Sequence, residues 1–333
     1  MSKIRFGIIG TGGMAGGHAK RINSHEDTEL VALCDVSEEI VNGFIDRVLK
    51  DATQPFEIHT NTEKMFAEAK LDAVLIASPH TLHFEHGMQA LAAGCHIYME
   101  KPMVTNTDQA YKLRDEAKKV GKTVIVGYNT PCSTAFETIK NVINDGSLGN
   151  LELVNGYISQ NWMNATKGTW RQKPELSGGG QAYDSGAHLL NSLVWSVGDN
   201  PEKVSTFLDN KDTAVDINSV INVKFKNGVL ANITISGNCP TWGSFMTFIF
   251  DKGRIDVDGW TGGWIKGFKD GEEFDIVPES ATETGPLKNF IDSILGRDKP
   301  RTSPQNGVYQ SELMDAVYES AKTGQIVTVE SRE

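Results

Sequence analysis

The sequence is poor in cysteine. Cys34, Cys95, Cys132 and Cys239 lie far apart, and no two form a C-x-x-C pair. That spacing excludes a disulfide framework and a thiolate zinc site, and reads as the reduced thiols of a cytoplasmic protein. No stretch approaches the ~20 consecutive apolar residues of a membrane-spanning helix, so no membrane partner is expected. Met1 to Phe6 runs into Gly7 and Gly10 without the apolar core or small-residue cleavage site of a signal peptide. Positive charge is also short: 32 Lys and Arg against 43 Asp and Glu leave a net charge of −11. A phosphate backbone would be repelled by that balance, so no nucleic acid partner is expected. Tryptophan is missing from the first 160 residues, all six lying between Trp162 and Trp264. Histidine is nearly missing from the rest: seven of eight stand at or before His96, and the exception is His188.

What is present describes a folded chain. Its 333 residues, 39% of them hydrophobic, are enough for two domains and a core that needs no staples. Residues 1–127 alternate short apolar runs (Ile4 to Ile9, Glu29 to Cys34, Ala73 to Ala77, His96 to Met99, Thr123 to Val126) with helical patterns such as Thr81 to Ala93 and Thr107 to Val120. Gly94 and Gly121 read as helix stops. That alternation predicts an α/β domain with a parallel, doubly wound sheet. Residues 128–333 change texture. Val220 to Phe225 and Val229 to Ile235 alternate and flank Asn227-Gly228, a hairpin signal, and Asp251 to Val257 adds a further strand. A mostly antiparallel sheet with helices on one face is expected, an α+β domain closed by a helix at about 306–322.

The first strand runs into Gly10-Thr11-Gly12-Gly13-Met14-Ala15, which fits G-x-G-x-x-(G/A) at Gly10, Gly12 and Ala15 and opens a helix. The first glycine permits the tight turn, the second lets the backbone approach a pyrophosphate, and the small third residue lets helix pack on strand. The helix N-terminus adds amide donors for the anion. Asp35 follows Ala15 by 20 residues, at the end of the second strand, where a carboxylate takes the ribose hydroxyl of NAD and disfavours the 2′-phosphate of NADP.

Further along stand Ala77-Ser78-Pro79-His80-Thr81-Leu82-His83, then Glu100-Lys101-Pro102, then Trp170-Arg171 before Gly178-Gly179-Gly180-Gln-Ala-Tyr-Asp184-Ser-Gly186-Ala-His188. This combination closely resembles the glucose–fructose oxidoreductase, inositol dehydrogenase and rhizopine-catabolism (Gfo/Idh/MocA) family over nearly the whole chain. The resemblance implies an N-terminal Rossmann domain for NAD at 1–127. It implies a C-terminal substrate-binding α+β domain whose large open sheet mediates a homodimer or homotetramer. It also implies oxidation or reduction of sugars, inositols or related polyols. Lys101, Asp184 and His188 would form the catalytic group, with His188 as acid and base. Gly10, Thr11, Gly12, Gly13, Met14, Asp35, Ser78, Pro79, His80, His83, Glu100, Lys101 and Asn129 would hold the cofactor. Three departures stand out: His80 where the family often has Asn, Thr130-Pro131-Cys132 where an Arg commonly follows Asn129, and Asn191 where Asp is frequent. The last two bear on substrate contacts, so no particular sugar is assigned.

Alcohol oxidation needs a base with pKa near operating pH, and His188 is the natural choice. Asp184 stands at i−4 from it, one helical turn away, to orient the imidazole or hydrogen-bond Lys101; an ordinary helix-stabilising Asp–His pair is the plainer alternative. Lys101 precedes Pro102 and so is biased to extended backbone, at the carboxyl end of the sheet, where an ammonium stabilises a developing alkoxide. A surface lysine is its plainer alternative. Glu100 reads equally as an ion-pair partner of Lys101 or a ribose contact. His80, His83 and His86 do not share one helix face, and no carboxylate or thiol completes a site, so no metal is expected. His83 reads as a helix-start or cofactor-side residue, and His18 as packing or solvent-facing. Trp162, Trp170, Trp242, Trp260 and Trp264, with Tyr157 and Tyr183, are candidates for a sugar platform or for core and oligomer packing. Trp162 and Trp170 flank the catalytic segment and are favoured for the substrate, together with Tyr128; Trp195 reads as core. Arg171 suits substrate or cofactor phosphate. The reading is an NAD-dependent dehydrogenase of a sugar, cyclitol or related polyol. Its alternatives are an NAD-dependent glycosidase working by transient oxidation and elimination, and a non-catalytic dinucleotide-binding regulator.

Overall fold

Six short segments pair in parallel in the computed structural model, which describes residues 2–277 and 284–332. They are β1 (Ile4–Ile9), β2 (Thr28–Cys34), β3 (Glu57–His59), β4 (Ala73–Ile76), β5 (His96–Met99) and β6 (Val124–Val126), in the order β3-β2-β1-β4-β5-β6. Helices lie between them, so both sheet faces are covered and the central strands are mostly buried; all four residues of β4 are buried. The order reverses between β1 and β4, and ligands of doubly wound sheets bind at such a switch point. The short β3 had no signal of its own: Glu57, Ile58 and His59 neither alternate nor form an apolar run.

The chain divides into two compact units. The first is Met1–Val104 with Asp108–Gly127 and Leu287–Pro304; the second is Thr105–Thr107, Tyr128–Pro286 and Gln305–Glu333. The return of residues 287–304 to the first unit is a packing effect. Phe290, on helix Pro286–Ile294, meets Phe6 of β1 edge-on at 6.0 Å and Tyr98 of β5 at 5.9 Å. Thr302 extends the edge of the sheet, accepting the Val126 N–H and donating its hydroxyl to the Val126 carbonyl.

The second unit is built on β7 (Leu151–Ser159), β8 (Pro201–Asp209), β9 (Asn218–Phe225), β10 (Leu230–Ser236), β11 (Gly243–Phe250), β12 (Gly253–Val257), β13 (Ile265–Lys269), β14 (Glu272–Phe274) and β15 (Val327–Thr328). Their order is β14-β13-β12-β11-β7-β10-β9-β8-β15, antiparallel except for β7 beside β10. The β9–β10 hairpin turns at Asn227-Gly228, with Gly228 at φ +93°. Strand β9 alternates buried and exposed residues, so one face of the sheet carries the core. Helix Gly186–Val197 lies in that core, and Trp195 packs against it half-buried. The last helix runs from Pro304 to Thr323. Among the described residues no helix is long and apolar enough to cross a membrane. The four cysteines are free thiols, and burial, with the neighbouring Asp35 carboxylate, pushes Cys34 up to about 11.

One half-buried histidine couples the first sheet to pH. His96 opens β5, and its Nδ1 accepts the Thr123 N–H at 3.0 Å. Burial, aided by the Lys122 ammonium, lowers its pKa from 6.5 to about 4. A histidine held neutral in the fold is protonated first in the unfolded chain, so stability drops as pH falls through 6.5 towards 4. Between about pH 7 and pH 5 the wild type is expected to lose about 1 kcal/mol more in urea unfolding than His96→Gln. An identical pH response in the two proteins would refute this coupling.

Candidate active site

The glycine turn at the switch point is shaped by close approach. Gly10 has φ +88°, and a Cβ there would lie 2.7 Å from backbone atoms of Ala77 and Ser78, where β4 ends. Only glycine fits. Gly12 and Gly13 face the opposite condition: nothing stands within 4 Å of an added Cβ. Helix Gly13–Ser24 starts there with no side-chain cap and no acidic residue in its first turn. Its first amides therefore face open space, which suits a pyrophosphate. Thr11 is buried and Met14 is exposed. Asp35 ties the turn to the end of β2: its Oδ2 accepts the Thr11 N–H at 2.7 Å and the Thr11 hydroxyl at 2.9 Å, and its Oδ1 accepts the Val36 N–H. The carboxylate thus holds the loop from within, a role its spacing from Ala15 did not reveal. The residues present fit a dinucleotide.

The Ser78–His83 and Glu100–Pro102 segments of the same unit are joined by buried side chains. His83 begins helix His83–Ala92, and its Nδ1 and Nε2 reach the carbonyls of Pro102 (2.8 Å) and Ser78 (2.9 Å). Burial holds its pKa below the ordinary value, against the two carbonyls that favour the proton. His83 is therefore a strut between two loops. His80 is buried 5.8 Å from the His83 ring, Pro79 is half-buried, and the Ser78 hydroxyl meets His86 Nδ1 at 2.9 Å. Glu100 is buried and bonds His18 Nε2 through Oε1 at 2.7 Å; its Oε2 accepts the Lys101 N–H at 3.3 Å. Burial pushes the Glu100 pKa up, but the His18 contact and the Lys101 charge outweigh it, so it lies below the ordinary value. His18 is thus the buried partner of Glu100, 82 residues away, and not a solvent-facing residue. Lys101 is half-buried, and the Lys101–Pro102 peptide is cis.

The second unit carries the other predicted residues. Asp184 is not on the helix, which begins at Gly186; it lies in the turn before it. Its Oδ2 accepts Trp162 Nε1–H at 2.7 Å and Arg171 Nε–H at 3.0 Å. Trp162 is buried and backs this carboxylate, so it offers no open stacking face. Trp170 is half-buried, with the Arg171 guanidinium 4.6 Å over its ring. The Nε–H of Arg171 is thereby engaged by Asp184, with the side chain part-exposed.

His188 is buried, with Tyr128 edge-on at 5.7 Å and Trp260 at 4.2 Å. Asn129 is exposed and, like Tyr128, belongs to the second unit. Asn191 is buried and donates to Gln310 Oε1 at 3.0 Å. The glycine run before Asp184 is clamped by Asp216, whose buried carboxylate accepts the N–H of Gly180 and of Ala182, each at 2.8 Å, and the Tyr318 hydroxyl at 2.5 Å. Asp216 and Tyr318 escaped the sequence reading because both are remote in sequence from what they touch, and Trp260, one of the candidate platform rings, had no local signal that placed it against His188. Among the described residues no group of three or more His, Cys, Asp or Glu is placed to hold a metal ion.

Comparison with known proteins matches both units. Residues 4–128 fit the oxidoreductase family with NAD-binding Rossmann fold, and residues 136–256 fit the GFO/IDH/MocA C-terminal domain. Oxidoreductase P35 of Formosa agariphila is 30% identical over 269 residues, 78% of this chain and 81% of that one. The D-glucoside 3-dehydrogenase of Escherichia coli (strain K12) is 29% identical over 198 residues, 59% of this chain and 55% of that protein, so the match spans about half of that relative. The WlbA dehydrogenase of Bordetella pertussis, crystallised with NADH and UDP-GlcNAcA, has the same fold at TM-score 0.84 and 23% identity, over 99% of this chain and 100% of that one. The chain belongs to the Gfo/Idh/MocA oxidoreductase family, and its first unit is an NAD-binding Rossmann domain.

Proposed function

We propose that the protein is an NAD-dependent dehydrogenase acting on a CH–OH group of a sugar, cyclitol or related polyol. The observation that carries this is His188: a buried imidazole between two aromatic rings, on a helix whose approach is held by Asp184, Arg171 and Trp162. NAD, when bound, supplies the two-electron acceptor at the substrate carbon. A ring nitrogen of His188 takes the hydroxyl proton as the carbon is oxidised to a carbonyl, and returns it in the reverse direction. The Lys101 ammonium stabilises negative charge on the substrate oxygen. Asp184 positions the segment that bears His188, because its own oxygen is engaged by Arg171 and Trp162. Gly10, Thr11, Gly12, Gly13 and Met14 cradle the pyrophosphate, and Asp35 faces the adenosine ribose and disfavours NADP. Ser78, Pro79, His80, Glu100 and Asn129 are assigned to the nicotinamide side, with His83 supporting their loops.

The names of the relatives support a sugar-like substrate. Free thiols support a cytoplasmic setting. The exposed side chains Leu153, Val220 and Leu230 of β7, β9 and β10 support a face of the second sheet that a further copy of this chain covers in a homodimer or homotetramer. One experiment tests the set: absorbance at the NADH band with a panel of sugars and inositols, NAD against NADP, with the solution mass recorded. NADH rising with a polyol and NAD preferred is the expected result. Retained NAD with glycoside cleavage and no net NADH would replace the dehydrogenase by the redox glycosidase, and a monomer would remove the interface.

A further inference from the structure

Glu100 directly follows β5 and precedes Lys101. Its carboxylate and the His18 imidazole are both buried, with Oε1 2.7 Å from Nε2. The other ring nitrogen, Nδ1, lies 3.2 Å from Nη2 of Arg21, about one turn further along helix Gly13–Ser24. A guanidinium has N–H donors and no acceptor. Nδ1 must therefore present its lone pair, and the ring carries its one proton on Nε2, from where it donates to Glu100. The reverse bond, a protonated Glu100 donating to Nε2, would put a proton on Nδ1 against the Arg21 N–H. A doubly protonated ring meets the same clash. One arrangement satisfies all three side chains: Arg21 donates to His18, His18 donates to Glu100, and Glu100 is an anion. Tyr98 packs on the imidazole at 5.0 Å and holds its plane.

We propose that Arg21 and His18 are positioning residues that set the Glu100 carboxylate, and through it the backbone of Lys101, for the reaction. The inference rests on the dehydrogenase reading above, in which the Lys101 ammonium meets the substrate oxygen. A buried carboxylate with a strong donor stays charged and stays in place; without that donor it takes up a proton or turns to another partner. The second oxygen of Glu100, Oε2, lies 3.3 Å from the Lys101 N–H. On the far side, His83 bonds the Pro102 carbonyl at 2.8 Å. Lys101 and Pro102 are thus braced at both ends by a histidine, one of them acting through Glu100. His18 does so from the helix that opens at the glycine turn, so one rigid element supports both the turn and the lysine.

Gln and Asn separate the two ring nitrogens. A Gln amide nitrogen reaches the place of Nε2, whereas an Asn amide stops at that of Nδ1. With NAD and a panel of sugars and inositols, His18→Asn is expected to lose ~100-fold in kcat with KM for the polyol little changed, and His18→Gln to recover to within about threefold. Arg21→Met, at an exposed position, keeps the packing and is expected to lower kcat about fivefold, because nothing then fixes the tautomer. Equal loss in His18→Gln and His18→Asn overturns the positioning role. So does full kcat in Arg21→Met, which decides the matter if His18→Asn does not fold. NMR of the full chain, labelled at histidine and lysine, reads the arrangement without activity. The His18 ring is expected to carry its proton on Nε2 and to lose that single form in Arg21→Met. The Lys101 amide is expected to shift in His18→Asn or Arg21→Met and to return in His18→Gln. A proton on Nδ1, or a Lys101 amide indifferent to these changes, overturns the proposal. A wild type that oxidises no polyol refutes the dehydrogenase reading, and the NMR results still uphold or overturn the brace.

Discussion

Replacing His188 by Gln is expected to lower turnover by ~10²–10⁴-fold while NAD affinity changes by less than about twofold, the usual size of a lost general base. The separation of effects follows from placement. His188 lies in the second unit, on helix Gly186–Val197, whereas the glycine turn and Asp35 lie in the first. Gln is preferred to Ala because Trp260 and Tyr128 lean on the imidazole and a truncated side chain would let them shift. Initial rates of NADH formation and calorimetric titration of NAD read the two quantities independently. Full activity in His188→Gln would show that another group moves the proton.

The second large effect is expected at Gly180. A Cβ there would sit 2.0 Å from the carbonyl oxygen of Asp216 and 2.6 Å from its nitrogen. Both are backbone atoms, so no side chain can rotate away. The segment must move, and with it go the Gly180 and Ala182 N–H bonds to the Asp216 carboxylate, leaving a buried anion short of donors. Gly180→Ala is expected to cost about 3 kcal/mol of stability, from overpacking plus lost buried hydrogen bonds. A fall of more than ~100-fold in kcat/KM should accompany it, because the displaced segment leads directly into Asp184 and His188. Gly43→Ala is the control: it stands exposed in helix Glu38–Val48 with nothing within 4 Å of the new Cβ. That change should be neutral or stabilise by about 0.5–1 kcal/mol. Equal thermal midpoints for Gly180→Ala and wild type would show that the clamp carries no strain.

The aromatic residues show where reading along the chain reached its limit. Trp162 and Trp170 looked like the substrate wall because they flank the Asp184 segment. In the fold Trp162 is buried behind that carboxylate, and Trp260, far along the chain, is the ring on His188. Sequence proximity measures distance along the backbone, and a sheet brings distant loops to one edge. Strand β7 was hidden for a related reason. Asn155-Gly156 has the composition of a turn, yet it lies in the middle of the sheet. A Cβ at Gly156 would come within 3.0 Å of Met246 and 3.1 Å of Ile233, so the glycine answers to its neighbours on β11 and β10.

What the amino-acid order determined by itself is local. The Gly10 to Ala15 turn after β1, Asp35 at the end of β2, the Asn227-Gly228 hairpin and the glycine run before His188 each depend on backbone conformation or spacing over a few to twenty residues. Those constraints are written into residue type, as where only glycine takes the φ found at Gly10 and Gly228 or leaves the room required at Gly180. The tertiary structure alone decided the pairings. They include His18 with Glu100, His83 with Pro102, Asp216 with Gly180, Trp260 with His188, and the return of residues 287–304 to the first sheet. These depend on which buried polar group finds a partner and which apolar face finds cover, and that choice exists only once the whole chain has packed.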